Sequence, residues 1–209
     1  MKTLWTFLYA VLAGVSIGIG GTAFLAIENT VVGALFFTVG LFTIVGHGFH
    51  LYTGRVCYVF ERDRKYAWNV PVIWLGNLAG TWLMGTIIRN TRMASLVTRA
   101  ETICQTKLGD DLLSIFLLAI LCNIMIFIAV DGYNTCPHQV GKYLALFLGV
   151  AGFILCGFEH CVANMFYFTM GGVWGGKALL YLLVMSLGNA VGGVIFPGLR
   201  QLKAKTEAK

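Results

Sequence analysis

Charged residues are scarce in this chain. Asp, Glu, Lys and Arg make up 11% of its 209 residues and hydrophobic residues 58%, whereas soluble domains average about 25% charged residues. Proline is also rare, with 3 residues, and no Ser, Gln or Pro tract occurs, which excludes disordered and low-complexity classes. The mean hydropathy of +0.80 indicates a polytopic membrane protein. At about 20 residues per span, the length allows six or seven helices and no additional soluble domain.

Cysteine pairs with metal-ligand spacing are absent as well. None of the six cysteines forms a C-x-x-C motif, and at least four lie inside apolar runs, so we expect neither a zinc site nor a disulfide framework. The formal charge is +6, but the basic residues lie in loops beside apolar runs, which indicates membrane topology. We therefore expect no nucleic-acid partner, no metal and no cofactor.

An internal repeat divides the chain into two halves. Residues 7–14 match residues 116–123 at an offset of 109, and residues 75–77 (Leu-Gly-Asn) match residues 187–189 at an offset of 112. The first apolar run therefore belongs to the fold and is not a cleaved signal peptide. We predict a single transmembrane channel domain over residues 1–209, with repeats at about 4–88 and 112–198.

Six apolar segments predict an all-α membrane protein with three spanning helices in each half. An odd number of spans per half places the halves in opposite orientations, the inverted-repeat construction of many transporters. The second and fifth segments are interrupted by polar, glycine-containing sequence, which is tolerated at membrane depth only where it is buried or lines a cavity. We therefore predict two broken helices that meet at the midplane. The segments are residues 4–27, 31–60, 70–88, 112–130, 140–172 and 178–196.

The distribution of basic residues predicts the orientation of the chain. With the N-terminus inside, ten Lys and Arg residues lie on the inner side and five on the outer side. The positive-inside rule then favours both termini in the cytoplasm. The predicted outer loop over residues 89–111 remains unusually rich in charge.

Five polar residues are the candidates for function. Glu159 and His160 lie inside a span, where ionisable groups are costly and usually mark a pathway or a relay; a structural pair that satisfies the broken backbone is the alternative. Asn123 either orients His160 through a hydrogen bond or holds helices together. Thr53 is placed to cap the resumed second helix, and its hydroxyl is a candidate to face the path. Lys107 either attracts anions into a vestibule or is a solvated loop residue.

Three motifs resemble those of the formate/nitrite transporter family. Residues 157–166 read Gly-Phe-Glu-His-Cys-Val-Ala-Asn-Met-Phe and resemble the family signature G-[FY]-E-H-S-[IV]-A-N-M. Residues 51–54, Leu-Tyr-Thr-Gly, resemble the L-F-T-[GS] loop of its second helix, and residues 74–80, Trp-Leu-Gly-Asn-Leu-Ala-Gly, resemble its third-helix motif. The resemblance extends over nearly the whole chain, from Leu4 to about Leu199.

This resemblance implies an aquaporin-like protomer in a homopentamer, surrounded by lipid in a bacterial inner (plasma) membrane. Each subunit is expected to hold its own pore, a channel or proton-coupled transporter for small monovalent anions such as formate or nitrite, and not an enzyme. By position, the substrate pathway comprises His160, Thr53, Asn123, Lys107, Glu159 and Asn164, and the apolar constrictions comprise Leu51, Tyr52, Ile126 and Phe153.

The chain also departs from the family pattern. Members commonly carry an amphipathic helix before the first span, whereas only three residues precede Leu4 here. We therefore expect a short variant in which such a helix does not gate the inner mouth. Cys161 replaces the usual serine, and His50 stands where an acidic residue is common. These departures leave the anion open among formate, nitrite, acetate, lactate and hydrosulfide.

Two other functions are compatible with these residues. A neutral small-solute channel of the aquaporin type needs the same architecture, and a flux independent of pH and salt would favour it. An intramembrane metalloenzyme would need His47, His50, Glu159 and His160 as metal ligands. For an anion channel, two mechanisms remain open: His160 either hands the anion a proton or donates a hydrogen bond while remaining neutral.

Overall fold

A computed structural model describes residues 2–207, which are helical apart from short connections and contain no β-strand. The all-helical class is therefore confirmed. The helices are α1 (Lys2–Ala26), α2 (Thr30–His47), α3 (Tyr52–Val56), α4 (Arg64–Arg89), α5 (Val97–Gly109), α6 (Leu112–Thr135), α7 (Gln139–Leu155), α8 (Cys161–Gly171) and α9 (Gly176–Glu207), with one 3-10 turn (Arg92–Leu96) before α5.

Five of these helices, α1, α2, α4, α6 and α9, are long and apolar enough to cross a membrane. The predicted second span consists of α2 and α3, and the predicted fifth span is divided between the shorter helices α7 and α8. Helix α8 lies at the centre of the bundle, since all 11 of its residues are buried. Below, the terminal face is the side on which α1 begins and α9 ends, and the α5 face is the opposite side.

Glycines set the two closest helix crossings. A Cβ atom at Gly80 of α4 would collide with the main-chain oxygen of Val11 in α1, and one at Gly192 of α9 would collide with the main-chain oxygen of Ile120 in α6. Lipid tails are as apolar as the helices, so close packing of backbones at small residues is a main source of helix association in membranes. The two glycines are 112 residues apart, which is the offset of the repeated Leu-Gly-Asn motif.

Asn77 of α4 fastens the break between α2 and α3. Its Oδ1 accepts a hydrogen bond from the main-chain N–H of Tyr52 at 2.8 Å. Its Nδ2 donates to the main-chain oxygens of Ala10 at 2.8 Å and His50 at 2.9 Å. A helix break leaves main-chain groups without helical partners, and a fully buried asparagine here satisfies both a donor and an acceptor.

Asn189 of α9 fastens the break between α7 and α8 in the same way. Its Oδ1 accepts from the main-chain N–H of Cys161 at 2.9 Å, and its Nδ2 donates to the main-chain oxygens of Ala119 and Glu159, both at 2.8 Å. Each partner lies 109 residues after the corresponding partner of Asn77. The repeat found in the sequence is thus matched by an equivalent set of hydrogen bonds.

The charged connection between α4 and α6 over residues 89–111 is not an irregular loop, because it contains the 3-10 turn and α5. Arg99 donates through Nη1 to the main-chain oxygens of Leu25 at 3.0 Å and Ile27 at 2.6 Å, at the end of α1. Arg89 donates to Met170 at 2.7 Å, at the end of α8. Cations at helix C-termini satisfy the free carbonyls and the negative end of the dipole. These arginines therefore hold the α5 face together.

Candidate substrate pathway

Thr53 and His160 meet where the two helix breaks approach each other. Thr53 Oγ1 and His160 Nε2 are 3.0 Å apart, and both residues are buried. His160 is also the N-cap of α8, because its Nδ1 accepts a hydrogen bond from the main-chain N–H of Ala163 at 3.0 Å. Since Nδ1 accepts, the neutral ring carries its hydrogen on Nε2 and donates it to Thr53 Oγ1. The hydroxyl hydrogen of Thr53 is then left for another acceptor.

The expectation that Thr53 caps α3 is wrong, because Leu51 holds the N-cap position and no side chain caps the helix. Of the two roles open for Asn123, the structure agrees with the one that holds helices together. Asn123 forms no hydrogen bond with His160; its Nδ2 donates to the main-chain oxygens of Thr53 at 3.0 Å and Asn189 at 2.7 Å. Asn123 therefore fixes the backbone of Thr53 and reaches the histidine only through it.

A cavity of about 250 Å³ lies between α5 and His160. One wall of it is aromatic: the ring of Phe153 stacks on the imidazole of His160 with 5.4 Å between centroids, and Phe37 meets Phe153 edge-on at 6.1 Å. Phe37 lies within the apolar run of the second span, where hydropathy alone does not distinguish it from its neighbours. The polar residues among the cavity lining are Thr106, Lys107, Glu159, His160, Asn164 and Tyr167.

Lys107 and Glu159 form an enclosed ion pair in this cavity. The Nζ to Oε2 distance is 2.7 Å, and the side chains are 14% and 4% exposed. Asn164 Nδ2 donates to the same carboxylate oxygen at 2.6 Å. The alternative of a solvated loop lysine is therefore wrong, because Lys107 lies in α5, is mostly buried and pairs with Glu159 within the cavity.

A second cavity, of about 230 Å³, lies toward the terminal face. Its lining is mostly apolar, and Arg55 is its one charged lining residue. The cavity adjoins a wider polar vestibule of about 820 Å³, with which it shares Arg55, Tyr58 and Asn134. Thr53 and His160 thus lie between a cavity on the α5 face and one on the terminal face.

The four expected constriction residues are distributed unequally around these cavities. Phe153 lines the cavity on the α5 face, and Leu51 lines the cavity on the terminal face. Tyr52 and Ile126 line neither cavity. The phenol of Tyr52 instead donates to the main-chain oxygen of Ser186 at 2.9 Å.

The metalloenzyme alternative finds no ligand set in residues 2–207. Among them, no group of three or more His, Cys, Asp and Glu side chains is arranged to hold a metal ion. His47 instead stacks on the ring of Phe49 at 5.5 Å, and His50 packs against Tyr9 at 5.6 Å.

Comparison with known proteins decides the family. The family model described as formate/nitrite transporter matches residues 1–202. The chain belongs to the formate/nitrite transporter family. The resemblance drawn from the sequence motifs is confirmed, and because the family consists of transporters and channels, the chain is a membrane transport protein and not an enzyme.

Relatives and solved structures agree with this assignment. The formate channel FocA of Haemophilus influenzae is 29% identical over 205 residues, covering 81% of this chain and 72% of the relative. The nitrite transporter NirC of Salmonella typhimurium is 27% identical over 221 residues, covering 90% and 78%. A solved pentameric formate channel with formate bound superposes with a TM-score of 0.83 at 25% identity and covers 98% of both chains.

Proposed function

We propose that the protein conducts formate, nitrite or a similar monovalent anion, through a pore inside each protomer that passes between Thr53 and Phe153. The observation that carries the proposal is the buried Thr53–His160 hydrogen bond, placed between cavities that open toward opposite faces. A permeating substrate loses its water at such a position, and polar groups must replace that water. The free hydroxyl hydrogen of Thr53 is the donor offered to a substrate oxygen.

His160 acts in this proposal as a neutral donor that orients Thr53. An imidazolium would carry a second hydrogen on Nδ1, which would then face the main-chain N–H of Ala163 and lose the 3.0 Å hydrogen bond that caps α8. The geometry thus favours the mechanism in which His160 donates a hydrogen bond while remaining neutral over the one in which it hands the anion a proton. A proton then crosses with the substrate, as the neutral acid, and is taken up from solution. Such movement of the acid is equivalent to coupled transport of an anion and a proton.

The Lys107–Glu159 pair provides a polar entrance with moderate attraction for anions. An ammonium group has three hydrogen-bond donors, and the contact with Glu159 uses one of them. The remaining donors can contact an anion oxygen, while the carboxylate limits how tightly the anion is held. Conduction requires this balance, since a site must bind well enough to be entered and weakly enough to be left. Asn164 keeps the carboxylate in place.

The proposed assembly is a homopentamer in a bacterial inner membrane, with both termini in the cytoplasm. The pentameric formate channel of the same fold supports the assembly, and the excess of basic residues on the terminal face supports the orientation. The proposed domain is the whole chain, built from two inverted repeats. The equivalent hydrogen bonds of Asn77 and Asn189 and the equivalent crossings at Gly80 and Gly192 support that division.

The test is solute flux into proteoliposomes that contain the wild-type protein or the variant Thr53→Val. We expect formate and nitrite flux that increases as the pH is lowered and that falls about 10-fold in the variant, which has lost one hydrogen-bond donor of about 1.4 kcal/mol. Thr53→Ser, which keeps the hydroxyl, is the matched control. Water or glycerol flux without formate or nitrite flux would establish the neutral-solute channel instead.

A further inference from the structure

Arg55 is a half-buried cation at the narrow mouth on the terminal face. It lies in α3, two residues after Thr53, and it lines both the 230 Å³ cavity and the wider vestibule. The phenol of Tyr66 donates to its main-chain oxygen at 2.9 Å, which fixes the backbone at this point. Leu51 of the expected constriction lines the same narrow cavity. Arg55 therefore lies beside the expected constriction residue Leu51, at the terminal-face end of the proposed path.

The carboxylates of the vestibule are engaged with another residue. Asp131 pairs with Arg200 at 3.1 Å and accepts a hydrogen bond from Tyr58 at 3.3 Å, and Glu61 lies 4.0 Å from Arg200. Within residues 2–207, no carboxylate lies within 4.0 Å of the Arg55 guanidinium. A cation without a counter-ion, in a cavity with mostly apolar walls, attracts an anion more strongly than an exposed ion pair does.

The two mouths of the path consequently differ in charge. On the α5 face, the lysine is neutralised by Glu159 at 2.7 Å, whereas Arg55 on the terminal face has no such partner. A guanidinium is planar and presents two parallel N–H groups that match the two oxygens of a carboxylate or nitrite. The amide of Asn134, which lines the same cavity, adds a further polar group.

We propose that Arg55 forms a binding site for a single monovalent oxyanion at the terminal mouth, so that the protein has a higher affinity for its substrate on the terminal face than on the α5 face. This inference rests on the proposed anion function. A passive pore with unequal mouths does not change the final equilibrium across the membrane. It does give each direction of flux its own half-saturating concentration and its own dependence on salt.

The experiment measures formate uptake in membrane vesicles of the two opposite orientations, at low ionic strength. For the wild type, we expect half-saturation at about 5- to 10-fold lower formate when the terminal face is outside, and we expect about 0.5 M salt to remove the difference by screening. Arg55→Gln should raise the half-saturating concentration on the terminal face to that of the α5 face and leave the latter unchanged. Arg55→Lys, which keeps the charge, should retain most of the difference.

Arg62→Gln is the matched control, because Arg62 lines the wide vestibule but not the narrow cavity. This control should change half-saturation much less than Arg55→Gln. Equal half-saturation on both faces of the wild type would overturn the inference, as would an Arg55→Gln effect of the same size on both faces. If Arg55→Gln does not assemble, the salt dependence of the two orientations of the wild type decides the question. Absence of any formate or nitrite flux in the wild type would instead refute the proposed function itself.

Discussion

The main-chain oxygens of His50 and Glu159 each accept a hydrogen bond from a buried asparagine amide, at 2.9 Å from Asn77 and 2.8 Å from Asn189. The sequence repeat places these two residues at equivalent positions, yet one is an imidazole and the other a carboxylate. Because the contact is made through the main chain, support of the break does not depend on the side chain. Glu159 is thus free to pair with Lys107.

We predict that Asn77→Ala and Asn189→Ala each lower the stability of the assembled protein by about 3 kcal/mol, because each leaves one main-chain N–H and one main-chain oxygen at a helix break without their side-chain partner. This change would be measured by thermal unfolding, monitored as the loss of the oligomer on size-exclusion chromatography. Asn90→Ala is the control, since the exposed Asn90 donates only to Thr86 of its own helix. Melting temperatures of both variants within a degree of the control would contradict the prediction.

For the ion pair, we predict that Lys107→Met destabilises the protein by about 3–5 kcal/mol, the range found when one partner of a buried pair is removed. The double variant with Glu159→Gln should recover most of this loss, because no uncompensated charge then remains. Thermal unfolding of the two single variants and the double variant completes a double-mutant cycle. Additive losses would mean that the pair is not coupled in the assembled protein.

The role of His160 gives a prediction about pH. If the imidazole stays neutral, His160→Asn should lower formate flux but keep its increase toward low pH, since the pH dependence belongs to the substrate acid, whose pKa is about 4. Asn also retains an oxygen able to cap α8. Flux measured from pH 5 to pH 8 in liposomes tests this expectation, and a flat profile in the variant would assign the proton transfer to the histidine.

Cys104 reports whether α5 stays docked against the bundle. Its thiol donates to the main-chain oxygen of Tyr167 at 3.2 Å, and burial raises the pKa of Cys104 to about 12. At pH 8 roughly one thiol in ten thousand would then be ionised. With an unperturbed pKa of about 8.5, about a quarter of the thiols would be ionised. We predict that iodoacetamide modifies Cys104 in SDS but not in the native protein, as read by mass spectrometry. Modification at similar rates in both states would show that α5 undocks.

The fold and the identities of the central residues followed from the sequence, but their contacts did not. Broken spans were visible because glycine and polar residues interrupt apolar runs, and Thr53 and His160 were both selected. The partner of Asn123 was missed because hydropathy does not indicate the direction in which a buried amide points. The pairing of Lys107 with Glu159 joins residues 52 positions apart, and it depends on α5, whose helical fold a search for spans does not detect.

Asn77 was present in the repeated Leu-Gly-Asn motif, yet it received no role because a repeat shows equivalence without showing contacts. The two occurrences of that motif did carry a usable signal. An amide recurs inside two spans, and neither copy is close in sequence to a helix break. Each copy therefore has to find its hydrogen-bond partners on another segment. Here those partners are the two breaks themselves.

The asparagine contacts also bear on the rigidity of the centre. Each break is tied to a long helix that crosses its neighbour with no space for a single methyl group at Gly80 or Gly192, so widening the centre would require two tightly packed helix pairs to separate together. We therefore expect the centre to keep its width, and its amide hydrogens at Tyr52 and Cys161 to exchange with deuterium as slowly as any in the molecule. We expect any opening and closing of the proposed path to take place at its mouths.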